Sequence, residues 1–217
     1  MKAKICAVIT EIDEAGIAAA EPLAELFEVR IDLIGEKWPE VARRLTKPWI
    51  ATNRLPSEGG RWQDPETGRL EELMKAIGMG ASIVDLELTT PNLARIVAAI
   101  KKKARCLISY HDFNGTPSFA DLKDIIQQQV AAGADICKLV TTAKSIDDNL
   151  NLLRLYREFP GQQLVAFGMS ESGILSRVLA PLAGAEFTYG SLETGKQSAP
   201  GQTTVAQLAE TYGLLKL

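Results

Sequence analysis

The first residue in this sequence that could do covalent chemistry is a lysine set inside an apolar run. Lys138 lies in Ala134-Asp135-Ile136-Cys137-Lys138-Leu139-Val140, with apolar neighbours on both sides. A free lysine amine, with its pKa near ~10.4, is unprotonated in only about one molecule in a few thousand at neutral pH. Desolvation and a nearby cation both favour the neutral amine. That is the state a lysine needs in order to form a Schiff base with a carbonyl. The competing explanation is a lysine that snorkels out to water, and the apolar residues around it argue against that. His111 is the one histidine, at the end of the run 105–111 and just before Asp112-Phe113-Asn114-Gly115. A lone histidine is usually a satisfied core or surface residue. On a strand end beside that of Lys138 it becomes a candidate for proton transfer.

Other charges keep the same company. In Phe27-Glu28-Val29-Arg30-Ile31-Asp32-Leu33, a period of two puts Glu28, Arg30 and Asp32 on one face and the apolar residues on the other. Thr52 and Arg54 share a face of the next run, Asp85 and Glu87 of the one after, then Ser109 and His111, and then comes Lys138. Five consecutive runs thus aim titratable groups at one place. A salt-bridge network that only fixes register is the alternative, and buried ion pairs are poor stabilisers against apolar packing. Asp32 and Asp85 fit a role in orienting neighbours as well as a role in touching substrate.

The elements that must hold these residues alternate. Strand-like runs recur at 4–9, 26–34, 48–54, 82–88, 105–111, 134–141, 163–169 and 186–192. Helical spacing fills the gaps at 13–25, 37–45, 66–79, 92–103, 118–132, 145–158, 173–183 and 203–215. Leu122, Ile125, Ile126 and Val130 mark one apolar face. Thr10–Asp13, Pro91-Asn92, and Ser145 with Asp148 supply helix-start signals. Strands alternating with helices pair in parallel through right-handed crossovers. Eight such units predict an α/β fold, a (β/α)8 TIM barrel, as a single domain over residues 1–217. In such a barrel only the strand ends and the loops beyond them meet water, so the charged strand ends mark the catalytic mouth. An open doubly wound sheet is the rival topology, weakened because no G-x-G-x-x-G turn follows the first strand.

Composition removes several function classes. The chain is 46% hydrophobic and 24% charged, as expected of a soluble globular protein. No window approaches the ~18 apolar residues of a membrane span. The start, Met1-Lys2-Ala3-Lys4 leading into Ile5–Ile9, is too short and wrongly flanked for a signal peptide, so a cytoplasmic location is expected. A net charge of −3 argues against a nucleic-acid partner, and Lys101-Lys102-Lys103 fits a solvated helix end. Cys6, Cys106 and Cys137 sit in apolar runs without metal-ligand spacing. With one histidine, no metal site is expected, and the thiols fit the core of a protein in a reducing compartment.

Taken together the motifs resemble type I 3-dehydroquinate dehydratase along nearly the whole chain. The matching segments are Glu28-Val-Arg30-Ile-Asp32, Arg54 with Glu58-Gly59-Gly60, Asp85-Leu-Glu87, Ser109-Tyr-His111-Asp-Phe and Ala134-Asp-Ile-Cys-Lys138. They continue with Met169, Gly173-Ile-Leu-Ser-Arg177 and Ser198-Ala-Pro-Gly-Gln202. The resemblance implies syn elimination of water from 3-dehydroquinate to give 3-dehydroshikimate in the shikimate pathway, with no metal or organic cofactor. It places the Schiff-base lysine on Lys138, the acid/base histidine on His111 and its acidic partner on Glu58. It places substrate binding on Glu28, Arg30, Arg54, Arg177, Ser198 and Gln202, and, since relatives are often dimers, implies a homodimer. Arg177 would offer a planar fork to the substrate carboxylate. Glu28 would accept from ring hydroxyls, with Arg30 and Arg54 fixing its charge and position. The segment 195–202, rich in Gly, Ser and Pro, would close as a lid.

Some positions depart from the family's pattern. Ala7 and Val8 stand where several relatives carry serine, Phe167-Gly168-Met169 lacks a second methionine, Cys137 stands where proline is frequent, and Tyr189 replaces the usual phenylalanine. Two rival functions remain. A lysine-dependent aldolase acting on a phosphorylated sugar would need a phosphate loop near the last two strands. A non-catalytic binding barrel would have no borohydride-trappable lysine.

Overall fold

Eight short strands run parallel in the order β7-β6-β5-β4-β3-β2-β1-β8. The structure, a computed structural model, describes residues 3–195, 197–199 and 201–216. The chain runs β1 (Ile5–Ile9), α1 (Glu14–Ala20), β2 (Leu26–Arg30), α2 (Ile31–Ile34), α3 (Trp38–Ala42), β3 (Trp49–Thr52), α4 (Glu66–Gly78) and β4 (Ile83–Glu87). It continues α5 (Leu93–Ile100), β5 (Arg105–Asp112), α6 (Phe119–Ala131), β6 (Ile136–Thr142), α7 (Ile146–Glu158), β7 (Leu164–Met169), α8 (Ile174–Ala183), β8 (Thr188–Ser191) and α9 (Val205–Leu215). This is the expected (β/α)8 TIM barrel.

Alternation along each strand sorts side chains between the lumen and the helices. Cys6, Leu26, Ile50, Ile83, Leu107, Ile136, Val165 and Phe187 pack together inside the barrel. Ala7, Phe27, Ala51, Val84 and Cys106 point outward, into the layer shared with helix residues such as Leu73 and Val97. Two residues further along each lumen-facing row stand Glu28, Thr52, Asp85, Ser109 and Lys138. The lumen is therefore apolar at its base and charged towards the C-terminal mouth.

Strand two ends earlier than its alternation predicts. Val29 pairs with Ile9, the last residue of β1, and Arg30 with Thr52, the last of β3. Extended backbone beyond Arg30 would have no partner on either side, so the chain turns into α2 instead. Asp32 then lies on a helix and not on the lumen face of a strand. The Pro91-Asn92 start also differs: Asn92 takes a left-handed φ of 57° and makes no side-chain cap. Asn tolerates that conformation better than most residues. Ser145 and Asp148 do form a reciprocal capping box.

The barrel closes at its β7–β8 seam with help from side chains. Glu186 N–H donates to the Leu164 carbonyl at 2.9 Å. Two residues on, the Tyr156 hydroxyl donates to the Ala166 carbonyl at 2.8 Å and accepts its N–H at 2.7 Å. Two further on, Gly168 N–H donates to Ser176 Oγ at 2.9 Å. The edge of β7 that faces β8 is thus satisfied by α7 and α8. Tyr156→Phe leaves a buried N–H and a buried carbonyl without that partner, a loss of about 1–3 kcal/mol. Denaturant unfolding should show it, and an unchanged midpoint would mean that another group covers the edge.

Candidate active site

Charges this deeply buried need partners, and the first is Asp85. Its carboxylate accepts from Arg54 Nη2, from Ser109 Oγ at 2.6 Å and from Lys138 Nζ at 3.2 Å. Burial pushes the Asp85 carboxyl up, but the Arg54 and Lys138 charges and the hydrogen bonds from Arg54 and Ser109 outweigh it, holding it well below the usual carboxylate range. Lys138 Nζ also lies 3.6 Å from Glu28 Oε1 and 4.3 Å from the centre of the Tyr189 ring. Glu28 accepts from the Thr52 hydroxyl at 2.8 Å. From α6, Gln129 Nε2 holds the Lys138 carbonyl at 2.8 Å, which fixes the backbone that carries the amine.

Arg54 follows the end of β3 and turns back into the lumen. Its Nη1 donates to Ser109 Oγ at 2.5 Å and stands 3.2 Å from Glu87 Oε1. Glu87 in turn accepts from Leu55 N–H at 3.2 Å and from Arg69 Nη1 at 2.6 Å. Leu55 leads into a single 3-10 turn, Pro56–Glu58, that delivers Glu58. Gly59 leaves that turn with φ 78° beneath the Phe113 ring, and a Cβ on Gly60 would overlap the Arg54 carbonyl. The two glycines let the Glu58 loop press against both residues.

Glu58 Oε2 lies 2.8 Å from His111 Nδ1, which leaves Nε2 for other chemistry. Burial, with Arg54 and Lys138 nearby, holds the His111 pKa well below its ordinary value. The imidazole is therefore a neutral base at pH 7, with Nδ1 engaged by the Glu58 carboxyl. Burial likewise pushes the Glu58 carboxyl up to about 7, opposed by Arg54 and assisted by Glu87 and Asp85.

On the other side of the mouth, Gly173 packs against the Gly168 backbone, and Ser176 N–H donates to Asn149 Oδ1 at 2.9 Å. This anchors the start of α8 and positions Arg177. The Arg177 guanidinium is 1% exposed and stacks 4.1 Å from the centre of the Phe167 ring. Its Nε and Nη2 have no hydrogen-bond partner among the described residues. Burial without a counter-charge lowers its pKa to about 10. In the expected lid, Ser198 donates to Gln202 Oε1 from N–H at 2.8 Å and from Oγ at 3.1 Å. Lys196 and Pro200 of that segment lie outside the described residues. One cavity brings together the nine residues to which the resemblance assigned catalysis or substrate binding: Glu28, Arg30, Arg54, Glu58, His111, Lys138, Arg177, Ser198 and Gln202.

The family model for type I 3-dehydroquinase matches residues 5–217. The chain belongs to the type I 3-dehydroquinase family. A 3-dehydroquinate dehydratase of Dehalococcoides mccartyi is 47% identical over 208 residues, spanning 96% of this chain and 94% of the relative. One from Methanocaldococcus jannaschii is 37% identical over 217 residues, spanning 97% of each. Among solved structures, the type I 3-dehydroquinate dehydratase of Clostridium difficile superposes with a TM-score of 0.84 at 23% identity, covering 98% of this chain and 92% of that one. That of Aquifex aeolicus gives 0.77 at 25% identity, covering 97% and 98%.

Within this type I 3-dehydroquinase the support of Glu28 differs from expectation. Arg30 is held by Asp32, through Nε at 2.9 Å and Nη2 at 2.8 Å, and Arg54 is held by Asp85 and Glu87. Glu28 is fixed instead by Thr52 and Lys138. The turn into α2 brings Asp32, two residues past Arg30, into bidentate reach of that guanidinium. The amine, too, faces two carboxylates, and Arg54 binds the same Asp85 oxygen as the amine does. Asp32, Asp85 and Glu87 do not line the cavity; they orient the residues that do. Arg69 was not foreseen. It is fully buried on α4 and binds Glu87, Glu66 and Thr90. Its place at the head of the buried row Arg69, Leu73, Ala76 is the signal that could have found it.

The raised Glu58 pKa makes a stability prediction. A carboxyl near 7 in the folded protein, against an ordinary 4.5, opposes folding once it must ionise. Its neutral form is fully compatible with folding below pH 4.5, and the penalty grows as pH rises through 7. Glu58→Gln should therefore gain melting temperature relative to the native protein as pH rises from 4.5 to about 7, and the gain should level off above that. A difference that is flat with pH would contradict the raised pKa.

Proposed function

We propose that this chain is, as one catalytic domain, a 3-dehydroquinate dehydratase, a hydro-lyase that converts 3-dehydroquinate to 3-dehydroshikimate and water in the shikimate pathway of aromatic amino acid biosynthesis. One observation carries the reading at the level of chemistry: a lysine amine, a carboxylate-bound imidazole and an unpaired buried guanidinium line the same small cavity. The family and the names of its curated relatives support the substrate.

In this reading Lys138 Nζ adds to the ring ketone, and loss of water gives an iminium. That cation withdraws electrons from the neighbouring C–H, so no metal or organic cofactor is required. His111, neutral and oriented by Glu58, takes the proton and returns it to the departing hydroxyl. The unpaired donors of Arg177 receive the substrate carboxylate as a pair of charge-assisted hydrogen bonds. Glu28, Arg30 and Arg54 meet the polar edge of the ring, and Ser198 and Gln202 cover it from the lid. An aldolase acting on a sugar phosphate fits less well, because the lid region next to α8 presents Arg177 stacked on Phe167 inside the lumen rather than a loop of free N–H groups. A homodimer in the cytoplasm completes the proposal. It is supported by large apolar side chains exposed on α7 and α8, such as Leu150 and Leu182, and by three free buried cysteines.

An ultraviolet assay with 3-dehydroquinate should show the conjugated enone of the product, unchanged by a chelator. Loss of turnover in chelator, restored by a divalent ion, would overturn the cofactor-free chemistry. Borohydride with substrate should add the ligand's mass to the peptide containing Lys138. Lys138→Ala should show neither adduct nor turnover, while His111→Ala should keep some adduct and lose ~10²–10⁴ in turnover. A label found only on Lys144 or on Lys101–Lys103 would refute the assignment. Arg177→Lys should lose tenfold or more in kcat/KM, since one ammonium cannot replace two parallel bonds worth ~1.5–3 kcal/mol each. An unchanged kcat/KM would make Arg177 structural.

A further inference from the structure

The lumen holds one more polar group that the mechanism above does not use. Tyr189 occupies a lumen-facing position on β8, lines the cavity, and is 3% exposed. Its hydroxyl is buried and has no hydrogen-bond partner among the described residues. A buried hydroxyl without a partner costs about 1–3 kcal/mol, and a phenylalanine would fill the same space without that cost. The ring cannot turn the hydroxyl away. It is held edge-on to Phe187 at 5.3 Å and 78°, and to Phe167 at 6.1 Å and 65°. Burial, then the negative charges of Glu28 and Asp85, push the phenol well above its ordinary value, so it stays protonated and can donate.

What it could donate to follows from its place. Lys138 Nζ sits 4.3 Å from the centre of the Tyr189 ring. A carbonyl oxygen is two bonds from the nitrogen that attacks its carbon, so it lies close to the amine, on the side of the lumen walled by Tyr189. The other donors around the amine are engaged: Thr52 with Glu28, Ser109 with Asp85, and Arg54 with Asp85 and Ser109.

We infer that the Tyr189 hydroxyl donates a hydrogen bond to the substrate's ketone oxygen while Lys138 adds to the adjoining carbon, and thereby assists formation of the Schiff base. The inference rests on the reading of Lys138 as the nucleophile. The nitrogen lone pair forms the C–N bond, the C=O π pair moves onto the oxygen, and that oxygen takes up the proton that the nitrogen releases. The phenol keeps its own proton and supports the charge as it develops on the oxygen. The proton that the Lys138 ammonium gave up to become the free amine, held meanwhile by His111, is returned to that oxygen, which leaves as water while the remaining nitrogen pair closes the C=N bond.

Tyr189→Phe removes one oxygen and leaves the ring contacts in place. Rapid mixing of enzyme and 3-dehydroquinate, quenched with borohydride at set times, reads the rate at which adduct appears on the peptide containing Lys138. The variant should form the adduct roughly 10–100-fold more slowly, with kcat/KM falling in step. Its melting temperature without substrate should equal or exceed that of the native protein, because an unpaired buried hydroxyl has gone. Adduct formation at the native rate would overturn the inference, and so would a lowered melting temperature, which would reveal a structural partner for the hydroxyl. Failure of the native protein itself to form any adduct is a different result and would refute the role of Lys138.

Discussion

The Asp85 carboxylate is the constraint on which the rest of the site depends. Two cations, Arg54 and Lys138, are aimed at the same oxygen of a group that is 1% exposed. Without it both would face each other in the lumen, and breaking such a buried pair typically costs ~3–5 kcal/mol. The carboxylate also sets positions at a distance. Arg54, drawn down to Asp85, carries its backbone against Gly60, and Glu87 holds both Arg54 and Leu55 N–H. Leu55 begins the turn that ends in Glu58, which orients His111. The base and the nucleophile, on adjacent strands, are therefore fixed relative to one another by a single connected set of ion pairs as well as by strand pairing.

That connection explains why a small barrel tolerates so much buried charge. An interior row of salt bridges would be a poor way to add stability, since apolar side chains of the same size do as well or better. Here the apolar residues are kept for the base of the lumen, from Cys6 and Leu26 round to Phe187. The charged layer begins one lumen-facing step nearer the mouth on the strands that face the substrate. Arg69 pins this layer from outside, satisfying Glu87 between β4 and α4. Asp32 does the same for Arg30 from the short helix that ends β2. The supporting residues thus hold the ones that line the cavity in single rotamers, which is the condition for precise chemistry.

Much of this was legible from period-two alternation and from motif order. The eight strands, the barrel and the meeting of Lys138 and His111 at its mouth follow from patterns visible in the chain, whereas Glu58, Arg177 and Gln202 were reached through the family resemblance. What was not legible are the pairings. Alternation told which residues share a face, but not that Asp32 leaves the strand, because that depends on where β1 and β3 end. Nor could it tell which acid each arginine takes. Arg30 and Arg54 look equivalent in sequence, yet one reaches a neighbour two residues away and the other reaches across to β4. Arg69 was hidden for a related reason: a helix residue is read against the helix's own face, while its partners, Glu87 and Thr90, lie at the end of a strand.

The pattern of paired and unpaired groups also says what kind of molecule the cavity discriminates. The acids in and behind its wall are spoken for: Asp85 and Glu87 by arginines, Glu28 by Thr52 and Lys138, and Glu58 by His111. Among the described residues that line the cavity, the buried groups left without partners are donors on Arg177 and the hydroxyl of Tyr189. The unmet demand is thus for acceptor oxygens, one set suited to a carboxylate and one beside the amine. A site whose buried donors are completed only by the correct ligand rejects analogues that lack those oxygens far more strongly than a site relying on shape, because each analogue leaves the donor buried and unpaired. The same incompleteness lowers the stability of the free protein, and a ligand that supplies the oxygens binds the folded state alone and restores it. Selectivity for an oxygen-rich ring acid and a gain in stability when it binds are two expressions of the same unpaired donors.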